Sequence, residues 1–136
     1  MRTATKPVKL GALIKEADKW VSLYVRLRAA DQNGTVKCIS CNEKMWYLDA
    51  DCAHFEDRDN MGTRYYLPNL APACQNCNRF DHYEHLKAWR DKLTQQQEND
   101  LNQRAKSMLK FTRPELQELI DHYKGEVAKL KREKHL

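Results

Sequence analysis

Two Cys-x-x-Cys pairs, "CISC" at 38–41 and "CQNC" at 74–77, constrain this 136-residue chain more than any other feature. Each pair puts two thiolates on one tight turn, so both sulfurs can face a single ion. Zinc favours soft, tetrahedral sulfur ligation of this kind. Four unrelated buried cysteines would rarely fall into two matched pairs. The 32 residues between the knuckles exceed the roughly 15–20 of a common zinc ribbon, so a substructure has to sit between them. Cys38, Cys41, Cys74 and Cys77 therefore read as ligands of a structural Zn²⁺. A zinc with four thiolates has no open position for chemistry. Cys52 and His54, two positions apart within "DADCAHF", are surplus to that ion.

The cysteine count is odd, and no apolar segment of the secretory type opens the chain, which favours metal over disulfides and a reducing, cytoplasmic setting. No apolar run approaches the ~20 residues that cross a bilayer. Hydrophobic residues at 41% and charged residues at 32% predict a polar, folded, helix-rich protein rather than a disordered one. A net charge of +5 suits a polyanionic partner, although charge alone favours nucleic acid only weakly.

Residues 1–9 read as a loose basic arm carrying Arg2, Lys6 and Lys9. From Leu10 to about Ala30, Leu13, Ile14, Ala17, Val21, Tyr24 and Val25 recur at helical spacing, and "DQNG" stops the helix. "MWYLDADCAHF" mixes aromatic and alternating residues in the manner of a β-hairpin. "EDRDNMGTRYYLPNLAP" reads as a polar loop. "HYEHLKAWRDKL" returns to helical spacing, and 94–107 holds too few apolar groups to be a core helix by itself. Thr112 and Glu115 form a capping box, with Pro114 tolerated in the first turn. Leu116, Leu119, Ile120, Tyr123, Val127 and Leu130 then line one stripe, which reads as packing.

The second knuckle has specific surroundings. Asn69 lies five residues before it, Pro72 two before its first cysteine, and Asn78 directly after its last; His54 sits in a strand upstream. This pattern resembles the HNH, or ββα-metal, nuclease fold, with His54, Asn69 and Asn78 as its signature positions. "CISC", "DADCAHF" and "NLAPACQNCN", with the helices on either side, resemble the NinG (Rap) recombination proteins of lambdoid phages across nearly all of residues 10–132. The resemblance implies an α+β fold forming one domain over 10–136. An N-terminal helix at 10–31 precedes a small zinc-stapled ββα-metal core at 35–93, and a C-terminal helical extension follows at 94–136. It also implies a structure-selective endonuclease, at work in the bacterial host cytoplasm on branched DNA such as Holliday junctions and D-loops.

The chemistry follows from the residues. Phosphodiester hydrolysis needs an activated water, charge stabilisation on the phosphate and help for the leaving 3′ oxygen. A neutral His54 can take the proton from water, because its ordinary pKa lies near working pH. The Asn69 side-chain carbonyl would hold one imidazole nitrogen and fix the tautomer. The resemblance adds a single hard cation, Mg²⁺ or Mn²⁺, on oxygen ligands. Many HNH enzymes carry an acid or a histidine directly before the catalytic histidine, and this chain has Ala53 there. Asp51 becomes the first candidate ligand and Asn78 the second, with Asp49, Asp57 and His82 in reserve. An Asp three residues from His54 on a strand faces the other way unless a bulge intervenes. A lone strand histidine is more often a packing residue; the two asparagines in register tip it toward catalysis. Cys52 reads as core.

Arg58, Arg64 and Arg79 are the first candidates for phosphate contacts, while Lys87 and Arg90 are as well explained as solvated charge. Nothing in the chain suggests base-specific reading, so selectivity would rest on DNA shape. Symmetric cutting of a two-fold junction would suit a homodimer. Two other readings compete: a non-catalytic Cys₄ zinc module that binds nucleic acid, favoured by the missing acid, and a zinc-held adaptor pairing through the C-terminal helix.

Overall fold

Helix α1 (Leu10–Ala29) forms where the apolar spacing places it and buries Leu13, Ala17, Val21, Val25 and Leu27. In the computed structural model the described residues are 8–136, so the basic arm expected over 1–9 lies almost wholly outside them. The Asp31 carboxylate accepts hydrogen bonds from the backbone N–H groups of Asn33 and Thr35, both at 2.9 Å, and closes the turn after α1. Gly34 completes it at φ +78°, with the Trp46 ring so close that a Cβ would lie 2.0 Å from a ring carbon. Only glycine suits both the backbone angle and the space.

The strands form two separate antiparallel pairs. β1 (Thr35–Lys37) pairs with β2 (Lys44–Trp46), and β3 (Asp51–His54) pairs with β4 (Leu70–Ala73). The hairpin expected over "MWYLDADCAHF" is therefore not formed. The first knuckle folds back on itself, the Cys38 N–H bonding the Glu43 carbonyl at 2.8 Å, and so hands β2 to β1. β3 is left to find a distant partner. Its register with β4 runs without a bulge, from Asp51↔Ala73 to His54↔Leu70. The loop between β3 and β4 holds one turn of helix, α2 (Met61–Arg64), and a 3₁₀ turn over Leu67–Asn69.

Because side chains alternate along a strand, β3 divides two cores. Ala53, followed by Phe55 just beyond the strand, faces a core with Cys38, Ala71, Ala73, Trp89 and Leu101. Cys52 faces the opposite core, which α1 builds with Tyr65, Leu70, Leu116 and Ile120. A third cluster joins Leu27, Ala30, Val36, Tyr47, Ala50 and Val127.

The second knuckle opens α3 (Gln75–Arg79), and α4 (His82–Arg90) follows. The segment expected to be too polar for a core helix is nonetheless helical as α5 (Gln95–Ala105). A reciprocal capping box between Thr94 and Gln97 starts it, and Leu101, with no exposed surface, anchors it in the knuckle core. Burial of one such leucine is worth roughly 1.5–3 kcal/mol, enough to seat a short helix that is otherwise polar. Gly62 of α2 lets α5 approach; a Cβ there would lie 2.1 Å from the Arg104 carbonyl oxygen.

Helix α6 (Arg113–Lys134) begins with the expected Thr112–Glu115 capping box and buries Leu116, Ile120 and Val127. Leu116 and Ile120 meet Leu13 and Ala17, while Val127 meets Leu27, so α6 runs alongside α1 in the same direction. At the far end the Lys134 ammonium donates to the carbonyls of Leu27, Arg28 and Ala30 at 2.8, 3.1 and 2.6 Å. The fold is thus mixed α and β, with two small sheets wedged between an α1–α6 layer and the shorter helices. No helix among the described residues is long and apolar enough to cross a membrane.

Candidate functional site

The four knuckle cysteines converge. Their sulfurs all lie within 4.8 Å of one another, and those of Cys41 and Cys74 are 3.8 Å apart. A tetrahedron with zinc–sulfur bonds of roughly 2.3 Å has edges of about 3.8 Å, so the cluster has the size of a Cys₄ zinc site. None of the four is in a disulfide. Burial, then hydrogen bonds among the crowded thiols, pushes the Cys74 thiol up to about 12. Burial also opposes ionisation of Cys38, but the backbone of Cys41 and the Ser40 hydroxyl bring its thiol down to about 6. A bound cation would hold all four as thiolates, which is how metal binding and folding become coupled.

Two elements brace the first knuckle. The Lys92 ammonium, just beyond α4, donates to the Ile39 carbonyl and to Asn42 Oδ1. Ser40 Oγ lies 3.2 Å from Cys38 Sγ and 2.9 Å from Nδ1 of the buried His85, a relay that orients a ligand sulfur from behind. His85 was not among the sequence candidates. Its spacing of four from Trp89 on α4 gave only a packing signal.

His54 opens on the other side of β3, into a cleft of about 540 Å³ between α1, β3 and the loop that follows. Four cations, Lys15, Lys19, Arg58 and Arg64, line it against two carboxylates, Asp18 and Asp57. Asn78 and His82 stand on its wall as well. Asp18 organises the basic side: it accepts from Arg64 Nε at 2.9 Å, Arg64 Nη2 at 2.6 Å and Arg58 Nη2 at 2.8 Å. Burial opposes the Asp18 charge, but the hydrogen bonds and charge of Arg64, with Tyr65 and Arg58, hold its carboxyl below the usual carboxylate range. Arg64 also donates to the Arg58 carbonyl at 2.8 Å, so the two arginines expected to meet DNA are fixed as a unit. The Arg58 side chain stays 58% exposed and free to meet a further anion.

Burial lowers the pKa of His54, the charges of Arg58 and Arg64 lower it further, and Asp18 and the Arg64 backbone pull the other way. The ring is therefore neutral at pH 7 and able to accept a proton. Beside it Cys52 is half-buried against α1, and burial pushes its thiol up to about 12, in keeping with a packing role.

Asn69 does not hold the imidazole. It is completely buried; its Oδ1 accepts from the Glu56 N–H at 2.7 Å, and its Nδ2 donates to the carbonyls of Glu56 at 3.2 Å and Thr63 at 3.1 Å. The side chain latches the loop that carries Arg58 and Arg64 rather than touching His54. Asp51 and Asn78 do come together, Asn78 Nδ2 donating to Asp51 Oδ2 at 3.0 Å. Arg79, however, grips both Asp51 oxygens at 2.9 Å. With the strand in regular register, Asp51 lies on the face opposite His54. Arg79 is thereby tied to Asp51 and does not line the cleft. Beyond the four cysteines, no group of three His, Cys, Asp or Glu side chains converges among the described residues.

Lys15, Asp18, Lys19 and Ser22 of α1 were not singled out in the sequence. They recur at i, i+3, i+4 and i+7, a polar stripe beside the apolar one, and that spacing was the available signal. Among curated proteins and among solved structures no match was found. A family model described as "Bacteriophage Lambda NinG protein" matches residues 2–133, nearly the whole chain with both knuckles and the cleft. The chain belongs to the bacteriophage lambda NinG protein family.

Proposed function

We propose that this chain is a metal-dependent endonuclease that hydrolyses DNA at branched structures, with His54 as the general base. The observation that carries this reading is a neutral histidine facing a cleft lined by four cations and only two carboxylates. The order β3, β4, α3, with His54 on the first strand and Asn78 on the helix, supports the ββα-metal arrangement implied by the resemblance. A DNA phosphate would sit against Lys15, Lys19 and the free edge of Arg58. A hard divalent cation fits in kind through the Asp57 carboxylate and the Asn78 carbonyl, with His82 in reach of the same cleft. Such an ion, when bound, would polarise the scissile phosphate.

The remaining roles fall to the chain's own groups. His54 takes a proton from a water molecule, and the water oxygen attacks phosphorus. The P–O3′ bond breaks, and the leaving 3′ oxygen takes a proton from solvent, giving a 5′-phosphate and a 3′-hydroxyl. The cleft cations offset the added negative charge on the phosphate as the bond to the attacking oxygen forms.

A second reading, a zinc module that binds nucleic acid without cutting it, is favoured by one observation. No acid precedes His54, and the nearest on its strand, Asp51, is neutralised by Arg79. The test is incubation with a four-way junction and a linear duplex, with Mg²⁺ or Mn²⁺ and without added divalent cation. Wild-type protein is expected to cut the junction in a cation-dependent way, and His54→Ala to bind it without cutting. Cutting by neither protein removes the catalytic reading and leaves the binding module, and equal cutting by both takes the role of base from His54.

A further inference from the structure

Beside the cleft, the turn after α3 and the first turn of α4 present two aromatic rings to solvent. Phe80 is 78% exposed and Tyr83 is 77% exposed. The other exposed aromatic among the described residues, Trp46, already has a task in covering Gly34. The turn is held from within: the N–H groups of Phe80 and Asp81 both bond the Asn76 carbonyl, at 2.9 and 3.1 Å, and Asn76 Nδ2 donates to the Asp81 carboxylate at 2.8 Å. The His85 N–H closes on the Asp81 carbonyl at 2.8 Å. The rings are thus carried on a fixed backbone. Asn78 of α3 and His82 of α4, which flank Phe80 in the chain, His82 also adjoining Tyr83, both line the cleft wall.

We infer that Phe80 and Tyr83 form a stacking platform for unpaired nucleobases of a DNA strand whose phosphate lies in the cleft. This rests on the cleft being the nucleic-acid site proposed above, and it names the feature of the DNA that is read. Charge separates the two surfaces. The cleft carries four cations against two carboxylates and takes phosphate. Around the rings Asp81 and Glu84 disfavour phosphate and the neighbouring Arg79 is tied to Asp51, but a neutral base meets no such penalty. Every base has a π-face, so stacking on aromatic side chains tolerates any sequence. In an intact duplex the base faces are already covered by their neighbours, whereas at a branch point, flap or gap they are open. The cleft binds DNA of any shape, and the platform adds affinity only where bases are unstacked. Structure selectivity then has a local chemical origin that needs no base-specific hydrogen bonds.

The test uses the full zinc-loaded chain without added Mg²⁺ or Mn²⁺, so that binding is read apart from cleavage. Fluorescence anisotropy gives affinities for a single-stranded oligonucleotide, a four-way junction with unpaired bases at its centre, and a blunt duplex. Both side chains are exposed, so Phe80→Ala/Tyr83→Ala should keep the wild-type zinc content and thermal unfolding. It is expected to lose roughly ten-fold or more in affinity for the single strand and the junction, the range that stacking supplies. Duplex affinity should change less than about two-fold, since duplex bases offer no free face. Phe80→Trp/Tyr83→Trp should bind like wild type. Equal losses on all three DNAs, or no loss on any, overturn the platform. So does a wild-type dimer that the double alanine variant splits, because the rings would then face a second copy of the chain. A chain that binds as expected but cuts nothing refutes the nuclease reading alone. A chain that cuts junctions while the double variant binds unchanged refutes the platform alone.

Discussion

Asn69 offers the sharpest test of how the cleft is built. Asn69→Ala removes an acceptor from the Glu56 N–H and a donor from the carbonyls of Glu56 and Thr63, at a position with no exposed surface. A buried polar group left without a partner costs about 1–3 kcal/mol. Thr63 is fully buried, and the Glu56 backbone is partly open to water. The total is therefore about 2–4 kcal/mol rather than the full sum of three losses. With a urea slope of roughly 2 kcal/mol per molar, the unfolding midpoint should fall by about 1–2 M. The released loop should also become open to trypsin at Arg58 and Arg64. Asn69→Asp separates the polar groups further. Its carboxylate would still accept from the Glu56 N–H, but the second oxygen would face two carbonyls. The folded-state pKa of that acid is thereby raised above its unfolded value of about 3.9. A raised pKa contributes stability that is fully present below about 3.9 and lost as pH rises through the folded value. Asn69→Asp should accordingly approach wild type in acid and fall well below it at neutral pH, whereas Asn69→Ala shows no such recovery. An Asn69→Ala protein that unfolds at the wild-type urea concentration yet loses DNA cleavage would falsify the latch, since the side chain would then act on the chemistry.

Two further outcomes follow from the geometry. Cys74→Ser, or a strong chelator, should release about one equivalent of zinc and unfold the centre of the chain, because binding of a structural zinc is coupled to folding; full zinc content with wild-type melting in that variant contradicts the Cys₄ assignment. In the DNA-cleavage assay, the proposed mechanism requires neutral His54, so the rate should fall with pH below 6.5, through the histidine's lowered pKa. Arg58→Ala removes one of the charges that lower it, and the acid limb should move upward in pH; a limb that stays in place or moves down assigns it to another group.

How much was readable in advance depended on the range of the interaction. The knuckles were legible because two cysteines three apart are a local geometric statement. The same holds for α6, whose Thr112–Glu115 box and apolar stripe lie within the helix itself. α5 is harder to read, because its box, Thr94–Gln97, opens a polar segment that a single leucine, Leu101, seats. Whether one apolar residue suffices depends on the pocket waiting for it, which Phe55, Trp89 and Ala73 supply from elsewhere. The 45–55 hairpin failed for a related reason. Alternation shows that a segment is a strand but not which strand it pairs with, and the fold-back at Cys38 decided that. In the cleft, His54 was found through the asparagines flanking the second knuckle. Asp18 was not, because a carboxylate at the edge of an amphipathic helix looks like solvated charge until Arg58 and Arg64 arrive from forty residues and more away. Asn69 was identified as important, but the sequence held no sign of which groups it would bond.

The Lys134 clamp bears on how such a chain is made. The wall of the cleft that carries Lys15, Asp18 and Lys19 belongs to α1, and the end of α1 is closed by an ammonium group 104 residues downstream of Ala30. Until α6 has emerged from the ribosome, the apolar face of α1 lacks Leu116, Ile120 and Val127, and the carbonyls of Leu27, Arg28 and Ala30 have no Lys134. Local contacts such as the knuckle turns can form early, while pairings this distant in sequence come late. A translation product cut short before α6 therefore carries all four knuckle cysteines, while the α1 wall of the cleft lacks its α6 support.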